Sequence, residues 1–294
     1  MRLVRDLSMA TSASLSLDAK SRVVTSLPAF PRVGQQLLRL VARDDCPFSD
    51  LNNLIRTDAG FSGEILRLAN SAILASRFEV MSILHAISVL GLDRLRSLIL
   101  TVAMRDMLKG ARHNSVLRLA WRHNFAAALA CEAMAEPLRL DRSIAYTAGL
   151  LHELGRLAMI GAFGNRYVET FERARDSGLD LEALERNDLG IDHIEAGRVL
   201  CEAWGLPPML QAGVCHPRPP IGSNFGLPHV VAMGCVVADR TGFCLVPPAP
   251  EWDLVAVESL LPSAQWRLIE PVVAELPDSI PAKVERFEAE FLSK

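Results

Sequence analysis

The sequence predicts an all-α protein: a multi-helix bundle with a short C-terminal helical appendage. Three observations predict it. Apolar residues recur at spacings of three and four along nearly the whole chain. Strand signals are nearly absent. Residues 144–161, Ile144 to Gly161, are apolar almost all round, as the central helix of a bundle must be. With 294 residues, half of them hydrophobic, the chain can bury a sizeable core.

The elements follow in order. Residues 1–22, rich in Ser, Thr, Ala and Arg, read as an N-terminal tail or one loosely held helix. Prolines 28 and 31 hold an extended entry. A helix then carries Leu37, Leu38, Leu40 and Val41 and stops at Asp44–Pro47. Ser49 fits the N-cap of a short helix with Leu51, Leu54 and Ile55 on one face. The next helix runs from about Phe61 through Ala69 and breaks at Asn70. Ser82 to Gly91 follows, and Asp93 caps a helix bearing Leu95, Leu98, Ile99, Val102 and Met107.

From Asn114 to about Glu136 a long helix packs through Trp121, Phe125 and Ala128, with His123 beside that face. The 144–161 helix comes after a short linker. Residues 165–187 read as one amphipathic helix with Tyr167, Val168, Phe171 and Ala174 inside and a solvated polar face. Asp192 caps a helix that Gly205 stops. Pro207 and Pro208 open another that ends at His216, and an apolar helix runs from His229 to Arg240. Residues 241–294, broken at Pro247–Pro250, form helical fragments of the appendage.

Composition narrows the function. A net charge of −3 and a pI near 6.2 give no footprint for nucleic acid and argue against an anionic membrane surface. No Walker or Rossmann glycine pattern occurs. Six scattered cysteines without a C-x-x-C pair read as reduced, buried thiols in a cytoplasmic protein. No signal peptide or membrane span is indicated.

Three polar residues interrupt the 144–161 helix. At i, i+1 and i+4, His152, Glu153 and Arg156 form one polar wedge in apolar surroundings. A buried charge needs partners, so other segments should converge there. Candidates for a metal centre are His123, His152, Glu153 and Asp239, with His193 and His216 extending the set and Arg156 available to a phosphate. In the alternative reading each histidine is a core group satisfied by a neighbour, and Glu153–Arg156 is an ordinary helical ion pair. His85, His113 and His229 read as structural or surface residues.

Four strings in order carry a resemblance: Leu54-Ile-Arg-Thr-Asp58, Leu66-Arg-Leu-Ala-Asn-Ser-Ala72, Ala86-Ile-Ser-Val-Leu-Gly91 with Leu95-Arg-Ser-Leu98, and Ala148-Gly-Leu-Leu-His-Glu-Leu-Gly-Arg156. Together they resemble the HDOD domain, a bacterial relative of the HD hydrolase fold. The resemblance runs over about residues 23–220, and the domain it implies spans 23–240, with an HD-like subregion at about 114–240. It implies an all-α bundle and a regulatory output role in bacterial signalling without established catalysis. Signalling proteins, or a nucleotide or cyclic dinucleotide, would be the partners. In the similar HD hydrolases a His, a His-Asp pair and a later Asp bind one or two metals. The corresponding positions are His123, His152, Glu153 and Asp239, with Fe, Mn or a similar divalent ion as cofactor. Glu153 departs from that pattern: its extra methylene moves the carboxylate by about 1 Å, against a ligand tolerance of about 0.2 Å. The hydrolase alternative is a metal-dependent phosphohydrolase of a nucleotide or cyclic dinucleotide.

Overall fold

A computed structural model describes residues 18–25, 36, 47–57, 59–70, 80–91, 94–95, 97–99, 101–102, 114–206, 208–215, 225–245 and 261–291. Among them there are helices and no strand. The helices are α1 (Phe48–Arg56), α2 (Ala59–Ala69), α3 (Ile83–Leu90), α4 (Ser115–Ala135), α5 (Arg142–Leu151), α6 (Leu154–Phe163) and α7 (Asn165–Ser177). They continue with α8 (Leu181–Leu189), α9 (His193–Trp204), α10 (Pro208–Cys215), α11 (Leu227–Ala238) and α12 (Ser263–Phe291). A further helix occupies 18–25, seated through buried Ala19 and Val23. The stripe at residues 37–41, Asp93, His113, His216 and the break at 247–250 lie outside the described residues.

Helix α4 is the axis, packed against α5, α11 and α12. Its alanines Ala127 and Ala128 are wholly buried, and glycines on the facing helices let the backbones close up. A Cβ at Gly149 of α5 would stand 2.8 Å from Ala128 Cα, and one at Gly234 of α11 would stand 2.5 Å from Cys131 Sγ. Only glycine permits that approach. It carries the C-terminal ends of α5 and α11 to the level of His123 on α4. Along α12, Ile269, Leu276, Ile280, Val284 and Phe287 form a buried face, and the Phe287 ring packs at a tilt against Trp121 and Phe125. Among the described residues of the appendage, Ser263–Phe291 is one 29-residue helix; its packing holds it together although Pro271, Pro277 and Pro281 each forgo a backbone donor.

The expected Asp192 cap accepts from a backbone N–H at its helix start, and Ser82 and Asn114 do the same at theirs. Three features differ. Pro47 occupies the N-cap of α1, and Ser49 lies inside the helix with its hydroxyl on Asp50. The 165–187 segment is two helices, separated where Gly178 turns left-handed and Asp180 caps α8 through Glu182 N and Ala183 N. Most consequentially, the 144–161 helix is broken at His152–Glu153 into α5 and α6.

The break has a local cause. In an unbroken helix the Gly149 carbonyl would accept from the Glu153 N–H. Instead the His152 ring donates from Nδ1 to Gly149 O at 2.6 Å, so the side chain takes the acceptor the helix needed. Glu153 leaves helical geometry at φ −101°, ψ 23°, and its own carbonyl starts α6 by accepting from Leu157 N. The two residues consequently do not share one wedge.

Candidate functional site

His152 turns toward α4. Its Nε2 lies 3.2 Å from Nε2 of His123, and both residues are buried. On the far side of His123, Nδ1 faces the Phe243 carbonyl at 3.0 Å and Asp239 Oδ1 at 3.4 Å. Phe243 is brought there by a widened π turn, Asp239–Phe243, which continues α11 and passes through Gly242 at φ 94°. A carbonyl oxygen can only accept, so each ring carries its proton on Nδ1, toward Gly149 in one case and Phe243 in the other. The two Nε2 atoms then face each other at hydrogen-bond distance.

That is the arrangement of metal-bound histidines, whose outer N–H is typically held by a carbonyl or carboxylate while the inner nitrogen is free to ligate. Burial, with the His123 ring beside it, pushes the His152 imidazole down to about 4, which keeps it neutral. Cys235, one helical turn before Asp239, completes a group of three whose ligand atoms lie within 4.8 Å of one another. The residues present therefore fit a divalent ion with nitrogen and sulfur ligands.

Glu153 is not one of that group, and both its oxygens are engaged by Arg156. Its Oε2 accepts from Arg156 Nε at 2.6 Å and its Oε1 from Nη2 at 3.3 Å. Arg156 also donates to the Tyr167 hydroxyl at 3.0 Å and from Nη2 to His193 Nε2 at 3.3 Å. The Tyr167 hydroxyl donates to Glu185 Oε1, while Glu185 Oε2 accepts from the backbone N and the Nδ1 of His193 at 2.9 and 2.6 Å. Burial, the largest single effect, raises the Glu153 pKa, but the charges of Arg156, His193 and His152 together with the Arg156 hydrogen bond outweigh it and hold the carboxyl well below the usual carboxylate range. Burial and Arg156 pull His193 down; Glu185 and Glu153 overcome them, and the net shift is upward.

The predicted set thus falls into two centres. His123, His152 and Asp239 come together; Glu153, Arg156 and His193 form an adjoining ion network, whose charges act on His152 and in which the guanidinium of Arg156 is engaged by Glu153, Tyr167 and His193. His216 lies outside the described residues. His85 and His229 accept from backbone N–H groups of Met81 and Gly226 at the starts of their helices. Sequence reasoning missed Cys235, read only as a buried thiol, and Glu185, placed on a solvated face. Both had a readable signal. Cys235 shares a helix face with Asp239 at i+4, and Glu185 sits midway between Leu181 and Leu189 in an apolar stripe.

An all-α bundle with paired histidines on adjoining central helices is the architecture of the HD-like proteins that the motifs resemble. The HDOD domain family model matches residues 27–218, and the chain belongs to that family. An HDOD domain protein of unknown function from Geobacter sulfurreducens superposes with a TM-score of 0.77 at 22% identity, covering 97% of this chain and 99% of its own. A provisionally named signal transduction protein of Marinobacter aquaeolei VT8 gives 0.69 at 21%, covering 94% and 66%. A provisionally named phosphohydrolase of Shewanella amazonensis SB2B gives 0.67 at 23%, covering 92% and 97%. The chain spans 36% of the length of the curated relative it matches, an uncharacterized protein of Treponema pallidum (strain Nichols), at 24% identity over 186 residues or 63% of this chain. Among the described residues no helix is long and apolar enough to cross a membrane.

Proposed function

We propose that this chain is a regulatory output module of signal transduction that acts by binding a protein or nucleotide and does not hydrolyse a phosphoester. The observation that carries the reading is the direction of Glu153. A hydrolytic HD-type centre needs the acid after the histidine as a ligand beside the imidazoles. Here that carboxylate is drawn into an ion pair with Arg156 and leaves the histidine pair without it. Arg156, the candidate phosphate contact, is 4% exposed and held by Glu153, Tyr167 and His193. A buried, satisfied guanidinium has no reason to leave its partners for a substrate phosphate.

Membership of the HDOD family supports the same reading, as does the fold shared with the Marinobacter signal transduction protein. The metal-dependent phosphohydrolase alternative draws on the facing His123 and His152 nitrogens and on the Shewanella protein's name. When bound, an ion there would supply a polarised water; this chain's residues would hold it through His123 and His152, with Asp239 behind the first ring. The test is turnover of bis(p-nitrophenyl) phosphate and of cyclic dinucleotides by the full chain in Mn²⁺ or Fe²⁺. The expected rate equals that of His152→Ala. A rate well above that control overturns the regulatory reading.

A further inference from the structure

We infer that the His123–His152 pair holds a thiophilic divalent ion of the zinc type, with Cys235 as its third protein ligand in place of Glu153. The inference deepens the regulatory reading, because it assigns the polar centre a bound metal without a hydrolytic role.

Two independent observations lead there. The first is the facing pair of Nε2 atoms. With both Nδ1 protons committed to carbonyls, two Nε2 atoms at 3.2 Å share a cation between them, either one proton in an N–H···N bond or a metal ion that replaces it. Two imidazole nitrogens bound to one tetrahedral zinc at about 2.05 Å stand about 3.3 Å apart, so the observed separation is already the bite of such an ion. The second is the thiol. The ligand atoms of Cys235, His123 and His152 fall within 4.8 Å of one another, and a nitrogen–sulfur edge of about 3.6 Å in a tetrahedral site requires the Sγ to close by about an ångström. A side-chain rotation supplies a movement of that size.

The donor set also selects the metal. Two imidazoles and a thiolate favour a borderline-soft ion over Mg²⁺ or Mn²⁺, which prefer carboxylate and water oxygens. Binding converts the Cys235 thiol to thiolate and releases its proton to solvent. Three protein ligands leave a fourth position for water or for a donor atom carried by a partner. Asp239 and the Phe243 carbonyl stand behind His123, and Gly149 behind His152, as the outer groups that fix the two rings.

The test is the cobalt-substituted full chain, read by absorbance and stoichiometry. One Co²⁺ per chain with a thiolate-to-metal charge-transfer band, displaced by equimolar Zn²⁺, is expected. Cys235→Ser should abolish the band and weaken zinc binding by at least about tenfold. His152→Ala should lose the ion. No bound metal, a bound ion without the band, or a band that survives in folded Cys235→Ser overturns the inference. Where that variant fails to fold, the band and stoichiometry of the unmodified chain still decide. Phosphodiester turnover by the zinc-loaded chain with the band intact would leave this inference standing and overturn the regulatory reading, whereas an absent metal would do the reverse.

Discussion

On one side of the His152–Glu153 turn, Arg156 meets two carboxylates, a phenol and an imidazole, and the donors and acceptors named there are answered by protein groups. On the other side two imidazoles bring their Nε2 atoms to 3.2 Å from each other, with a thiol close by. Both centres are buried, they are one residue apart in sequence, and they solve the problem of buried polarity in opposite ways. The Arg156 network is complete within the chain. The histidine pair, in the zinc reading proposed above, takes an ion from outside the chain. A buried centre of the first kind is structural, and removing a member should be costly to the fold; one of the second kind should tolerate substitution and respond to a ligand.

Arg156→Met breaks the comparison hardest. It leaves Glu153 and Glu185 buried with no guanidinium, and loss of one partner from a buried ion pair costs about 3–5 kcal/mol. A urea midpoint lowered by that amount, with unchanged slope, is expected. A change under about 1 kcal/mol would mean the network does not hold the fold.

Gly155→Ala attacks the same centre by sterics. Where α6 meets α9, a Cβ at Gly155 would stand 1.8 Å from the His193 carbonyl oxygen and 2.5 Å from Gly197 N. Backbone must shift, and His193 with it, away from Glu185. The expected cost is about 3 kcal/mol or more, at the upper end of overpacking effects, again read by denaturation.

The histidine side should respond to metal. Zinc at a hundred times its dissociation constant should stabilise the chain by about 2.7 kcal/mol through binding to the folded state alone. The midpoint of thermal unfolding should rise accordingly in the unmodified chain and stay fixed in His152→Ala. A rise in both would place the ion elsewhere.

The legible part of this contrast was the residue list, and the illegible part was its division. Periodicity located the helices, and Asp192 and Gly205 marked the ends of one because a cap acts within one turn of sequence. The four motifs pointed to the right fold for the same reason. The break at His152 was hidden, since nothing in Gly149-Leu-Leu-His152 reveals that the ring will take the carbonyl of its own helix. Glu185 was hidden behind the assumption of one helix over 165–187, although Gly178 and Asp180 spell a stop and a start. Cys235 was set aside because a thiol in an apolar helix reads as core, although Asp239 one turn further on marks the same face as polar.

The smallest effect separates a ligand from a supporting group. Asp239 lies 3.4 Å from His123 Nδ1, is about a quarter exposed on its side chain, and shares that nitrogen with the Phe243 carbonyl. Asp239→Asn keeps the size and an acceptor oxygen while removing the charge. Stability should stay within about 0.5 kcal/mol, as for a partly exposed group. Zinc affinity should fall by about tenfold, the low end for a group that acts behind a ligating histidine, because the Phe243 carbonyl still holds the ring. Isothermal titration of the two chains measures it. A loss as complete as that of His152→Ala would make Asp239 a ligand itself, and His123 would then have to turn its Nδ1 inward; an unchanged affinity would leave the carbonyl alone to orient the ring.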